Sequence, residues 1–126
     1  MSSYLYQNFD LTNGVNVLRI VCGLFLVPHL YAKASNLEFT YNMYREWRLH
    51  PPKAWVHACI AIEIVGSIGL VFAIYTRYVA MLVAVFLFVA AWATWRHSGG
   101  KWLWPIGGME YPLFWAFCCV ALALLA

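Results

Sequence analysis

Five side chains in this sequence could do chemistry together: His29, Lys33, Glu63, Glu110 and Tyr111. Glu63 is the most telling. It stands near the middle of an apolar run, WVHACIAIEIVGSIGLVFAIY, from Trp55 to Tyr75. At about 1.5 Å of rise per residue, a helix of that length crosses a bilayer. A charged side chain at such depth costs roughly 2.5 kcal/mol or more. It therefore faces other protein, a water-filled cavity or a partner cation. Imidazoles and carboxylates can be tuned to exchange protons near neutral pH, and an ammonium or imidazole N–H can donate to a carbonyl. A polar pocket of this kind, walled by aromatic residues, suits a quinone head group, which needs a donor at each carbonyl and a route for protons. A buried ion network that only fixes helix register fits the same residues.

The rest of the chain must position these groups. Its 126 residues are 64% hydrophobic and only 10% charged. Soluble domains carry about a quarter charged residues, and the mean hydropathy here is +0.71. The composition reads as one integral membrane domain over residues 1–126, all-α. The net charge of +3 carries no basic cluster of the nucleic-acid-binding kind. The polar lead MSSYLYQNFDLTNG lacks the charged start of a secretory signal, so the first helix reads as an uncleaved anchor.

Four membrane helices are expected, at about residues 15–34, 55–75, 78–95 and 111–126. In the first, Arg19, Cys22, Leu26, His29 and Lys33 are spaced 3, 4, 3, 4, which puts them on one helix face. That stripe should face the bundle interior, with Pro28 kinking the helix. Arg19 is expected to snorkel to the interface. Residues 35–54 hold Phe39, Tyr41, Met43, Tyr44 and Trp47, a candidate interfacial amphipathic helix ended by His50-Pro51-Pro52. In the second helix Gly66 and Ala73 are expected on roughly the Glu63 face, where small residues permit close approach. Thr76-Arg77 reads as the short turn to an antiparallel third helix without internal charge. Residues 96–110, with Gly99-Gly100, Gly107-Gly108, Trp102 and Trp104, form the second long loop. Glu110-Tyr111-Pro112 open the fourth helix, where a helix N-terminus favours negative charge.

Up-down-up-down connectivity puts both long loops on one side. Lys33, Arg45, Arg48, Lys53, Arg96 and Lys101 lie there, against Arg19 and Arg77 on the other. The positive-inside rule then makes the loops cytoplasmic and both termini external. His29 lies roughly 8 Å in from the loop side and Glu63 roughly 12 Å. With Lys33, Glu110 and Tyr111 near that end, the five converge in one leaflet. His29 and Glu63 are too few ligands for a metal, and a C-x-x-C-H haem-attachment motif is absent. The four cysteines, Cys22, Cys59, Cys118 and Cys119, read as small hydrophobes of the helix core. Cys118 and Cys119 are adjacent and point to different faces, which disfavours mutual bonding.

These residues resemble the DoxX family of small four-helix membrane proteins over about Val17 to Ala126. VLRIVCGLFLVPHLYAK resembles the family's first-helix pattern at Leu18, Arg19, Gly23, Phe25, His29 and Lys33. Glu63, Gly66 and Thr76-Arg77 resemble its second helix and exit, and GGMEYP, Gly107 to Pro112, its entry to helix 4. The departures are Leu30, where the family often has Gly, and Ile74-Tyr75, where Gly-Leu is common. The resemblance implies a bacterial inner-membrane accessory subunit of a redox complex, quinone-linked in some relatives, with lipids and other subunits as partners. Two other functions stay open: a purely structural or assembly subunit, and a small-molecule carrier or thiol-redox protein. Without a cofactor motif, catalysis by this chain alone is not expected.

Overall fold

The computed structural model describes residues 6–97, 99–102 and 108–125. Trp104, Gly107 and Ala126, which enter the readings above, lie outside the described residues. The elements run α1 (Gly14–Leu24), α2 (Leu26–Ser35), α3 (Leu37–Glu46), α4 (Pro52–Val71), α5 (Thr76–His97) and α6 (Glu110–Leu125).

The first membrane span is α1 and α2 together, 22 residues. Asn13 starts it: its side chain accepts from the Val15 N–H at 3.0 Å, satisfying one of the free donors of the first turn. Upstream, Asp10 accepts from the Thr12 N–H and hydroxyl. Those hydrogen bonds hold the Asp10 carboxyl below its usual range. The span is interrupted at Phe25. Pro28 is the cause: it brings no N–H, and its ring crowds the carbonyl four residues back, at Leu24. The 3-4 stripe behaves as its spacing dictates. Arg19, Cys22 and Leu26 are 3%, 2% and 1% exposed.

α4 and α5, of 20 and 22 residues, are also long and apolar enough to cross a membrane. α6 has 16 residues, about 24 Å of rise against a hydrocarbon core of about 30 Å. α5 and α6 pack most extensively against each other, and α4 lies against α1, α2 and α5. The core between them is rich in small side chains: Ala80, Ala84, Ala116 and Ala123 with Cys22 and Cys119. Such residues let helices approach closely where water provides no hydrophobic drive between them. A Cβ at Gly23 would come within 3.0 Å of Leu70 Cβ and 3.1 Å of the Val71 backbone nitrogen, so glycine there sets the α1–α4 distance.

The α4–α5 connection differs from the sequence reading. Thr76 and Arg77 belong to α5, and the turn is residues 72–75. The Ile74 N–H donates to Gly69 O at 2.8 Å, and Ala73 adopts φ +58°. This is a Schellman-type end with alanine where glycine is usual. Since a left-handed L-residue costs about 1–2 kcal/mol, Ala73→Gly is expected to stabilise the protein by about 1 kcal/mol. Thermal unfolding in nanodiscs checks this, and a lower melting temperature would contradict it.

α3 packs its Tyr41 and Tyr44 against Val56, close to the start of α4. Tyr41 Oη is 2.9 Å from His57 Nε2, and Trp47 stacks on His97 with ring centroids 5.1 Å apart. The helix therefore lies across one end of the bundle and docks on both α4 and α5.

Candidate functional site

Glu63 is 1% exposed on α4. One carboxylate oxygen, Oε1, accepts from the Lys33 ammonium on α2 in a direct salt bridge. A buried carboxylate needs such a partner, because an isolated charge in low dielectric is strongly disfavoured. The ammonium also lies 5.8 Å from the centroid of the Phe86 ring on α5, a cation–π distance. The pair thus ties α2 to α4 and touches α5. Glu63 Oε2 has no hydrogen-bond partner among the described residues.

His29 stands one helical turn before Lys33. It is held by aromatic rings of α6: it stacks on Tyr111 at 5.8 Å and 13°, and tilts against Trp115 at 5.4 Å. Trp115 Nε1 is the second buried polar atom with no partner among the described residues.

Two cavities meet at these side chains. The inner one, about 80 Å³, is lined by His29, Lys33, Glu63, Phe86, Tyr111 and Trp115 among others. The outer one, about 530 Å³, lies between α2 and α3 and is lined by His29, Lys33, Asn36, Phe39, Thr40 and Met43 among others. His29 and Lys33 are in both walls. The structure therefore brings together four of the five candidate residues. Glu110 is placed in the first turn of α6 and does not line either cavity. Its backbone N–H donates to Trp102 O at 3.0 Å, so it closes the preceding loop.

Two further residues matter: Trp115, which the sequence reading did not place, and Arg19, which it misread. Trp115 lies in an apolar run, and only the register of α6 against α2 shows that its indole meets His29. Arg19 does not snorkel. Its guanidinium donates to Leu70 O at 2.5 Å, to Val71 O at 2.7 Å and to Asn8 O, and it lies 5.5 Å from the centroid of the Phe9 ring. Leu70 and Val71 end α4, where carbonyls lack helical partners and the dipole favours a cation. Arg19 is therefore an internal cap for a neighbouring helix. The signal for it was present in the stripe, which points Arg19 inward with the rest.

Outside the membrane spans, Tyr44 on α3 donates to Cys59 Sγ at 3.5 Å. Burial, helped by the Cys59 contact, pushes its phenol up, so it stays neutral and donating. The four cysteines are free thiols. Cys22 and Cys119 meet inside the core cluster, while Cys118 is turned toward a more open face. None of the four lines either cavity.

Comparison with curated proteins and with solved structures gave no match. The DoxX family model matches residues 14–96, which takes in the three long spans except the last residue of the third and ends before α6. The match carries His29, Lys33 and Glu63 but stops short of GGMEYP, Tyr111 and Trp115. With more than half of its length matched, this chain belongs to the DoxX family of membrane proteins.

Proposed function

We propose that this chain is a membrane-embedded accessory subunit of a redox complex that anchors a partner and receives the head group of a quinone-type carrier beside His29 and Lys33. The observation that carries this reading is the pair of donors standing in the walls of both a large open cavity and a smaller, narrower one that is also lined by a buried carboxylate. Size assigns the chambers. An apolar cavity of about 150 Å³ accommodates a benzene ring. The inner cavity, at about 80 Å³, is smaller than that; the outer, at about 530 Å³, is ample. The outer chamber offers a donor set that fits carbonyl oxygens: the Lys33 ammonium, the His29 ring and the Asn36 amide. Phe39 and Met43 supply apolar and aromatic contact for the ring. The bound carrier would supply the redox chemistry. Lys33 would orient it, and Glu63 behind Lys33 fixes where that ammonium points. The positive-inside count supports a cytoplasmic side for this chamber.

A short-chain quinone should raise the melting temperature of the wild-type protein in nanodiscs. Ligand at 100 times Kd stabilises by about 2.7 kcal/mol. The double variant Lys33→Met/Glu63→Met should fold and show no shift. An equal shift in both proteins would place the ligand elsewhere.

The second reading is a structural or assembly subunit. It is favoured by one specific fact: the Lys33–Glu63 bridge joins α2 to α4, so it can fix helix register without any ligand. Under that reading the quinone shift is absent from the wild type as well.

A further inference from the structure

The inner cavity is too small for a ring and is not apolar. Its wall includes Glu63, whose Oε2 is an acceptor, and Trp115, whose Nε1 is a donor; both atoms are buried and without a partner among the described residues. Buried polar groups are almost always hydrogen-bonded, and leaving one unpaired costs about 1–3 kcal/mol. Two such groups in the wall of one cavity have a common solution. A water molecule both donates and accepts, so it can donate to the carboxylate and accept from the indole. A water needs about 10–15 Å³ of such volume and two to four polar partners. At about 80 Å³ the cavity has room for two or three waters at about 30 Å³ each, their share of the liquid. Lys33, His29, Tyr111 and Thr94 are further polar residues in the same wall.

We propose that the inner cavity is a water site: hydrogen-bonded water satisfies both Glu63 Oε2 and Trp115 Nε1, the two buried polar atoms that no described side chain reaches. The charged and titratable groups around it come from each packed element. Lys33 and His29 are on α2 and Tyr111 on α6, and α5 contributes the Thr94 hydroxyl; Tyr44 on α3 does not line the cavity but lies near enough to Glu63 to interact with its charge. The waters complete the coordination of the Lys33–Glu63 pair. They explain how a carboxylate 1% exposed keeps a second oxygen that no side chain satisfies. This site stands whichever ligand the outer chamber takes, because it rests on the inner wall alone.

The test is water-edited solid-state NMR of the intact protein in nanodiscs. Its readout is the Trp115 indole N–H, assigned among the seven tryptophans by its loss in Trp115→Phe. The expected result is polarisation transfer from water to this buried indole and its exchange in deuterated buffer. Ala90→Leu, which fills the cavity from the α5 wall, should abolish the transfer while the other indole signals keep their positions. A wild-type Trp115 indole that receives no water polarisation and stays protonated would overturn the proposal. Equal transfer in wild type and Ala90→Leu would overturn it too, since water would then reach the indole by a path outside the cavity.

Discussion

Lys33→Met is expected to be among the most damaging single substitutions in this protein. It removes the cation from a carboxylate that is 1% exposed inside the bundle. Breaking a buried ion pair from one side costs about 3–5 kcal/mol, mostly because the remaining charge is left uncompensated. Removing both charges together is a different operation. Lys33→Met/Glu63→Met replaces the pair by apolar chains of similar length, a change that is often neutral or stabilising. The expected order of melting temperature is therefore wild type close to the double variant, with Lys33→Met well below both. A double-mutant cycle in nanodiscs measures it. If Lys33→Met unfolded with the wild type, the bridge would be a surface contact of little energy, and its role as the anchor of the site would be lost. The double variant also separates stability from binding: it should retain the fold while losing the quinone-induced shift.

Arg19→Ala should be comparably damaging at the other end of the bundle. It strands the Leu70 and Val71 carbonyls at the end of α4 and releases Asn8 in the polar lead. Each buried acceptor left unpaired costs about 1–3 kcal/mol, so a loss of about 3 kcal/mol or more is expected. Arg19→Lys should recover part of it. The charge at the helix end is kept, but the planar fork that reaches several carbonyls is not. The local readout is hydrogen exchange. Residues 6–13 and the 72–75 turn should lose protection, because Arg19 and the Phe9–Phe72 edge contact, at 6.4 Å between centroids, hold them together. His29 lies ten positions further along the span, roughly 15 Å away along the axis, so ligand affinity in the folded fraction should not change. A fall in affinity with unaltered stability would contradict this assignment.

How much of this was legible in the sequence depends on what kind of partner a residue has. The 3-4-3-4 stripe was legible, because helical periodicity alone brings Arg19, Cys22, Leu26, His29 and Lys33 to one face. So was the meeting of Lys33 and Glu63, since depth counted along two antiparallel helices places them in one leaflet. The interfacial helix after the first span was visible in its aromatic spacing. Arg19 was misread because its partners are backbone carbonyls of α4, and no side-chain pattern announces a carbonyl. The turn was misplaced because Ala73, not glycine or asparagine, takes the left-handed position, so the usual marker was missing. Glu110 shares the depth of the site but not its direction: the pairing of Met109 and Glu110 with Lys101 and Trp102 fixes the start of α6 so that Tyr111, the next residue, faces the cavity instead. Trp115 required the rotation of α6 about its own axis, which an almost uniformly apolar helix does not encode.

The central question is whether the outer chamber beside His29 and Lys33 takes a carrier in the membrane. Gentle extraction into nanodiscs, followed by mass spectrometry of the retained lipids, quinones and proteins, measures it. Wild-type protein should retain quinone near one per chain together with a redox partner protein, and Lys33→Met/Glu63→Met should keep the partner and lose the quinone. Recovery of the wild-type protein with its partner but without quinone would contradict the account and leave the register-fixing role of the bridge in its place.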